Sequence, residues 1–226
     1  MEKLNDIINK STVIKDQYGV DQFYDAVNNK HLVPFRGYNS KEHVIKKHVR
    51  ENRVPRDSNI QFHQTMGDAF EQTFGYNYRS SVFASSTLAE ALRYSGISGS
   101  VYVVVPIGQV TVCYSTLVTD LAEVQEQFLR EVIEILKKDK SLKQSFINYM
   151  RNSSHLTRKD VLRLTSRLRG KEKQKAIELG ISYIKHFEYK ETDDLKKACV
   201  ESKGNEMMIK CKEYYLVNRK YILEQK

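Results

Sequence analysis

The 226-residue sequence contains no tryptophan and has few prolines and cysteines, with three of each. The cysteines, Cys113, Cys199 and Cys211, are widely and unevenly spaced, which fits neither a disulfide framework nor a zinc site. No apolar run approaches the roughly 18 residues of a transmembrane helix, and residues 1–15 lack the charged and then apolar pattern of a secretory signal. We therefore expect a soluble cytoplasmic protein with reduced thiols and no membrane partner.

Positive charge is concentrated in one internal stretch of the chain. The whole sequence has 37 Lys and Arg against 28 Asp and Glu, a net charge of +9. Residues 130–175 contain 14 Lys and Arg and 5 Asp and Glu, so this stretch alone accounts for the excess. A local basic surface favours DNA, RNA or an acidic protein as the partner, although a solvated helical face has the same composition.

The amino-terminal part of the chain has helical and then extended patterns. Apolar positions at helical spacing in residues 1–30, interrupted by Gly19, predict two short helices. Residues 31–38 cluster apolar side chains around Pro34 and predict a short strand, at a sheet edge because proline cannot donate a ladder hydrogen bond. Residues 39–56 are polar and basic, which predicts a loop with one helical turn.

Helix and strand patterns then alternate over short distances. Asp57 or Ser58 is expected to cap a helix that runs to Phe74 and ends at Gly75. Another short helix is predicted to begin at Thr87. Strands are predicted at residues 81–85, 101–105, 110–114, 207–211 and 214–217.

A long helical stretch separates the early strands from the late ones. Apolar side chains keep helical spacing from Asp120 to about Lys190. We expect residues 120–195 to form a mainly helical, basic insertion within a single domain that spans residues 1–226. Because strands occur on both sides of this stretch, distant segments must pair to complete the sheet, which predicts an α+β fold.

Three sequence features have residue types that can carry chemistry. Arg36 follows an apolar strand and precedes Gly37, which places a fixed cation beside backbone that can approach a ligand; a surface arginine at a turn has the same pattern. The hydroxyls of Ser85–Thr87, between a strand and a helix, can orient a ligand or only cap the helix. Glu206 opens an apolar strand, where it can face a cleft or protect a sheet edge.

A fourth group of residues surrounds the helix that is expected to begin near Ser58. Arg53, Arg56, His63 and Arg79 could form an anion site at the amino terminus of this helix, where backbone N–H groups favour negative charge. A solvated basic face explains the same residues. If they do belong to a ligand cleft, they are its additional contacts.

The first three features, taken in order, resemble the arginine, serine-threonine-serine and glutamate motifs of arginine-specific-type ADP-ribosyltransferases, including phage-encoded ones. The matching pieces are Arg36, the Phe-Ala-Ser-Ser-Thr run at residues 83–87 and the Glu-Met-Met-Ile-Lys run at residues 206–210. The resemblance covers roughly residues 32–114 and 201–217 and leaves out the helical stretch. It implies an ADP-ribosyltransferase-like split, mixed β-sheet core with a basic helical insertion.

The resemblance also implies individual roles, with NAD as the substrate and no metal. Arg36 would bind the dinucleotide phosphates or the ribose beside them, and Ser85 would hold the nicotinamide ribose and orient the glutamate. Glu206 would bind the ribose 2′-hydroxyl and stabilise the oxocarbenium-like charge that develops as nicotinamide leaves. The implied cofactor-binding set is Arg36, Gly37, Phe83, Ser85, Ser86, Thr87 and Tyr94.

One position departs from the family's pattern. Family members that modify arginine have an acidic or amide residue two positions before the catalytic glutamate, whereas this chain has Gly204 there. Because glycine has no side chain that could accept a proton, modification of arginine is disfavoured. Transfer to another nucleophile such as a nucleobase, NAD hydrolysis and a loss of turnover are all compatible with the remaining residues.

Three functions stay open at this point. The first is a phage-encoded ADP-ribosyltransferase in the host bacterial cytoplasm, which modifies nucleic acid or a host protein and contacts it through residues 130–175. The second is a catalytically inactive relative that counters a host-defence factor or binds DNA. The third is a DNA-binding protein whose strands only support the basic helices.

Overall fold

The computed structural model of the chain describes residues 3–28, 32–50, 59–97, 99–138 and 168–225. Within these ranges the chain forms nine helices and eight strands, an α+β fold as expected. The helices are α1 (Leu4–Lys10), α2 (Thr12–Tyr18), α3 (Val20–Asn28), α4 (Ile60–Phe74), α5 (Leu88–Arg93), α6 (Gln125–Lys137), α7 (Gly170–His186), α8 (Leu195–Glu201) and α9 (Arg219–Glu224). The strands are β1 (Phe35–Tyr38), β2 (Val44–His48), β3 (Val82–Ser85), β4 (Ser100–Ile107), β5 (Thr111–Tyr114), β6 (Lys190–Thr192), β7 (Glu206–Lys210) and β8 (Glu213–Asn218).

Several parts of the sequence predictions fall outside this description. The middle of the predicted helical stretch, residues 139–167, lies outside the described residues, and so do Arg53 and Arg56. Among the helices listed above, none is both long and apolar enough to cross a membrane.

The eight strands belong to one open sheet with the order β2-β8-β4-β1-β3-β7-β5-β6. Every neighbouring pair in the described part of the chain is antiparallel, so the expectation of a mixed sheet is wrong. Neighbours such as β3 and β7 are far apart in the sequence. No short connection therefore fixes their relative direction, and strand composition does not reveal it.

Strand β1 lies inside the sheet, between β3 and β4, and not at the predicted edge. Phe35 is opposite Ser85 on one side and Val103 on the other. Pro34 precedes the strand, so its missing N–H group is not needed in the ladder. The carbonyl oxygen of Pro34 accepts a hydrogen bond from Val104 N at 2.9 Å.

One edge of the sheet is β2, which lies in the segment predicted as a loop. This strand contains Lys46, Lys47 and His48, and all of its side chains are half-buried or exposed. Charged side chains are typical of edge strands because they discourage pairing with other chains. Because of these charged residues, β2 lacks the apolar alternation by which a strand is predicted from sequence.

The chain divides into two compact units. The sheet unit consists of Met1–Asn52, Ser80–Thr119 and Phe187–Lys226 and contains all eight strands. The helical unit consists of Arg53–Arg79 and Asp120–His186 and contains α4, α6 and α7. The predicted single domain and the predicted boundaries of its insertion stay predictions.

In the sheet unit, three helices rather than two precede the first strand. Ser11 separates α1 from α2: its Oγ accepts a hydrogen bond from Ile14 N at 3.3 Å and donates one to Pro106 O at 2.6 Å. Gly19, with a φ of 69°, ends α2 as predicted. The buried faces of α1, α2 and α3 share one apolar core with β4 and β8.

In the helical unit, α4 has a defined cap at each end. Asn59 caps its amino terminus, because its Oδ1 accepts hydrogen bonds from Gln61 N at 2.9 Å and Phe62 N at 3.0 Å. The two caps expected from the sequence lie outside the described residues. Gly75 ends the helix as predicted, in the left-handed conformation with a φ of 73°.

Aromatic contacts join the three helices of the helical unit. The ring of Phe128 on α6 packs edge-to-face against Phe62 of α4 and Tyr183 of α7, with centroid distances of 5.3 and 5.2 Å. A side chain at Gly180 would place its Cβ 2.8 Å from the Ala69 Cβ, so glycine is needed where α7 crosses α4.

Candidate functional site

Strands β1, β3 and β7 are neighbours in the middle of the sheet and carry the three features found in the sequence. Ser85, the last residue of β3, is opposite Phe35 on one side and Glu206, the first residue of β7, on the other. Side chains that are directly opposite in an antiparallel sheet share a face, with Cβ atoms about 5 Å apart. Ser85 and Glu206 therefore lie side by side, and Arg36 is the next residue along β1.

The sheet divides between β1 and β3. Within the described part of the chain, one residue pair, Phe35 with Ser85, connects these two strands. The hydrogen bond that Pro34 O accepts from β4 sets the alternation along β1, so the N–H and C=O of Gly37 point towards β3. Two halves, β2-β8-β4-β1 and β3-β7-β5-β6, therefore meet at a single pair.

Arg36 bridges the gap that opens beyond this pair. If the ladder continued, Gly37 would be opposite Phe83, but the Phe83 carbonyl oxygen instead accepts a hydrogen bond from Arg36 Nη1 at 2.8 Å. The half-buried guanidinium is thereby oriented between the two halves of the sheet. A planar guanidinium held in this way is suited to bidentate binding of phosphate or carboxylate.

Gly37 lets α5 pack directly on β1. A Cβ at this position would collide with Ala91 O and lie 2.5 Å from Ser95 N, so no other residue fits. The space beside the Gly37 α-carbon is thus filled by the backbone of residues 91–95. The N–H and C=O of Gly37 are the groups that point towards the gap. Tyr94 follows α5 beside Gly37, and its side chain is half exposed.

The Ser85–Thr87 run holds the loop that leads into β7. Ser85 Oγ donates a hydrogen bond to Gly204 O at 2.6 Å and accepts one from Thr87 N at 3.1 Å. Ser86 Oγ accepts a hydrogen bond from Gly204 N at 3.0 Å and lies 3.3 Å from Ser202 Oγ. Both backbone groups of Gly204 are therefore bound by the end of β3. Thr87 has the capping role expected for it, since its Oγ1 accepts from Glu90 N at 3.4 Å.

Gly204 is required by this loop. Its φ is +97°, a conformation that side chains disfavour, and a Cβ would lie 2.7 Å from Thr87 Cγ2. The residue that departs from the family's pattern is therefore fixed by local packing. Sequence reasoning missed this role, and it also missed Ser202, because both depend on a contact between segments that are far apart in the chain.

Glu206 begins β7 in a well-defined backbone setting. Its N–H donates a hydrogen bond to Thr119 O at 2.8 Å, and the preceding Asn205 Nδ2 donates one to Ser115 O at 3.2 Å. Its carboxylate influences the pKa of Cys113 on the neighbouring strand β5. Burial raises the pKa of this thiol, and the negative charges of Glu191 and Glu206 raise it further. The half-buried Glu206 side chain thus lies on the face of the sheet that carries Cys113.

The fourth group of residues has a different setting. His63 and Arg79 belong to the helical unit, where their side chains are 5% and 4% exposed. The first amides of α4 already bind the Asn59 side chain, so this terminus has fewer N–H groups for an anion. An anion site that includes Arg53 and Arg56 stays a prediction.

The described ends of the basic stretch carry ordinary ion pairs on the helical unit. Arg130 pairs with Glu126 at 2.8 Å along α6, and Lys173 pairs with Asp68 at 2.7 Å. The remainder, residues 139–167, is outside the described residues.

Over the ranges that the structure describes, no group of three or more His, Cys, Asp or Glu side chains is arranged to hold a metal ion. Comparison of the chain with protein-family models, with curated proteins and with solved structures found no match.

Proposed function

We propose that this protein is a phage-encoded ADP-ribosyltransferase that uses NAD to modify a macromolecular target, either nucleic acid or a host protein. We also propose that its divided sheet is the split core of that fold family. The observation that carries the proposal is that Arg36, Ser85 and Glu206 lie on three neighbouring strands at the line where the sheet divides, with Ser85 opposite Glu206 and Arg36 one residue beyond the Phe35–Ser85 pair.

The chemistry of these groups supports NAD as the substrate. The bond from Arg36 Nη1 to Phe83 O fixes the plane of a guanidinium, the group whose N–H donors match the oxygens of a phosphate. A diphosphate bound there would direct its nicotinamide ribose along the gap. The N–H and C=O of Gly37, which point towards β3, match the acceptor and donor of a carboxamide.

Glu206 is the residue to which we assign charge stabilisation. When the bond between C1′ and the nicotinamide nitrogen breaks, its electron pair leaves with nicotinamide and positive charge develops on the ribose. A preorganised carboxylate close to C1′ stabilises this charge and can accept a hydrogen bond from the 2′-hydroxyl. Ser85 acts through the backbone, since its hydroxyl holds Gly204, two residues before Glu206.

Glu206→Gln tests this assignment. We expect the variant to lose nicotinamide release and label transfer from radiolabelled NAD by about 100-fold or more, the usual effect of removing a group that stabilises developing charge. The matched control is Glu213→Gln, because Glu213 is the half-buried first residue of β8, the strand that follows β7 along the chain. Equal rates in the Glu206→Gln variant and the unmodified protein would sink the catalytic assignment.

A second candidate is a catalytically inactive protein of the same fold that counters a host-defence factor or binds DNA. The bond between Ser85 Oγ and Gly204 O favours it, because the serine hydroxyl is already engaged within the protein. Calorimetry with NAD distinguishes the inactive protein from the active transferase. The inactive protein must bind NAD, or capture its target, and must not release nicotinamide under any condition.

A further inference from the structure

The loop that enters β7 carries an exposed cation, Lys203, three residues before Glu206. It consists of residues 202–205, and two of its residues in succession have positive φ, Lys203 at 53° and Gly204 at 97°. A non-glycine residue with positive φ is uncommon and is found where surrounding structure holds it, often at functional sites.

The hydrogen bonds of the loop hold this arrangement in place. Asn205 N donates to Ser202 O at 3.0 Å, which closes a tight turn around Lys203. Gly204 is bound through both backbone groups by the end of β3, and the Asn205 side chain is engaged with Ser115 O. Lys203 is therefore the one residue of the loop whose side chain leaves it as a long, charged group.

This loop is unsuited to an arginine acceptor. A guanidinium stays protonated at neutral pH, so a base must remove a proton before the group can attack C1′. Gly204 supplies no base, and an acidic side chain is disfavoured at this position, because the φ is +97° and a Cβ would lie 2.7 Å from Thr87 Cγ2. The positive charge of Lys203 would also repel a guanidinium.

We propose, on the basis of the proposed function, that the acceptor is a terminal phosphate of a nucleic acid and that Lys203 binds this phosphate. In the transfer, the C1′–N bond breaks and its electron pair leaves with neutral nicotinamide. A lone pair of a phosphate oxygen forms the new C1′–O bond. A phosphate monoester dianion carries no proton on the attacking oxygen, so the step needs no base in the loop.

The charge of the whole chain agrees with such an acceptor. A net charge of +9 attracts nucleic acid through its phosphates without regard to sequence. An acidic protein would also be attracted, but its carboxylates are weaker partners for a single lysine than a doubly charged terminal phosphate.

The test uses the full chain, radiolabelled NAD and four acceptors: a single-stranded DNA with a 5′-phosphate, the same DNA without it, agmatine and a poly-glutamate peptide. We expect label on the phosphorylated DNA at least tenfold above the other three. Agmatine and the unphosphorylated DNA need a base, whose absence typically costs about two or more powers of ten, and the carboxylates of the peptide bind a single lysine more weakly than a terminal phosphate does. Label on agmatine, on poly-glutamate or equally on both DNAs would overturn the inference while leaving the proposed function intact. Nicotinamide release with no labelled acceptor would do the same, and absence of nicotinamide release would overturn both.

Lys203→Glu tests the residue itself. We expect it to raise the KM for the phosphorylated DNA about tenfold. It should also reduce the slope of log affinity against log salt concentration by about one, the value for one lost phosphate contact. Lys203→Arg should keep both properties near those of the unmodified protein. The matched control is Lys212→Ala, another exposed lysine in a turn at an end of β7. An unchanged KM and salt dependence in Lys203→Glu would contradict the assigned role even if phosphate is the acceptor.

Discussion

At the scale of single residues, the close packing of Gly204 against Thr87 explains the glycine two residues before Glu206. Pattern comparison marks Gly204 as a departure, because an acidic or amide side chain is expected there. The structure gives the physical reason: the positive φ disfavours a side chain, and an added Cβ would lie 2.7 Å from Thr87 Cγ2. The missing side chain is therefore a property of how the loop before Glu206 is attached to β3.

Gly204→Ala tests this explanation. We expect it to lower the free energy of unfolding by about 2–4 kcal/mol, from left-handed strain of about 1–2 kcal/mol and a collision that costs about as much. Gly108→Ala is the control, because Gly108 has a similar φ of 80° but an added Cβ there would meet no atom within 4 Å. Adding Thr87→Ser, which removes Cγ2 and keeps the capping hydroxyl, should recover about 1 kcal/mol of the Gly204→Ala loss. Equal losses in the two alanine variants, measured by urea unfolding, would contradict the collision.

At the scale of elements, the cap of α4 shows how one side chain defines a helix end. The Asn59 side chain binds two of the amides that a helix leaves unpaired, while its own N–H donates to Gln125 Oε1 of α6 at 2.8 Å. Only the side-chain bonds are lost when Asn59 is replaced by alanine.

Asn59→Ala should therefore lower the free energy of unfolding by about 1 kcal/mol, the usual cost of removing an amino-terminal cap. Asn59→Asp should retain the stability, since a carboxylate accepts the same two hydrogen bonds. Gln64→Ala, at an exposed position on the same helix, serves as the control and should change little. A thermal or urea denaturation in which Asn59→Ala equals Gln64→Ala would rule out the capping contribution.

Strands and helices with strong local signals were predictable from the sequence, whereas their neighbours in the sheet were not. The β-branched run of β4 and the helix ended by Gly75 follow from local composition. The edge position of β1 was wrong because Pro34 lies one residue before the strand, a boundary that composition does not resolve. Strand β2 was missed because its lysines and histidine suit an edge and mask the alternation.

The candidate site, too, was only partly predictable from the sequence. Its residues could be chosen from the sequence because Ser85 and Glu206 end and begin apolar strands, and because Arg36 follows an apolar cluster and precedes a glycine. The bonds from Arg36 to Phe83 O and from Ser85 to Gly204 O could not, since they join segments 47 and 119 residues apart.

At the scale of the whole molecule, buried thiols and phenols predict an alkaline limit to stability. Burial raises the pKa of Cys211 from its ordinary 9.0 to about 12, and it likewise raises the pKa of Cys199, Tyr18 and Tyr114. These groups are neutral when protonated, and they lose protons more readily in the unfolded chain than in the folded one. Their contribution is complete below the unfolded pKa and is lost as the pH rises towards the folded pKa.

We therefore expect the urea midpoint to be steady up to about pH 9 and to fall as the pH approaches 12. Circular dichroism and tyrosine fluorescence can follow the transition, since the chain has no tryptophan. Cys211→Ala should make the decline less steep than in the unmodified protein. A urea midpoint that increases as the pH is raised beyond 9 would contradict the assignment of these groups as buried and neutral.

The single residue pair between β1 and β3 has a consequence for how the protein folds. The chain passes between the two halves of the sheet on going from β2 to β3, from β3 to β4, from β4 to β5 and from β7 to β8. Neither half is a continuous segment, so neither can form before most of the chain has been synthesised. Such distant pairings bring high contact order, and slow folding follows from it. The chain therefore crosses four times between two halves that the described residues join through a single pair, and the half that contains β1 is complete only when β8, the last strand, has joined the sheet.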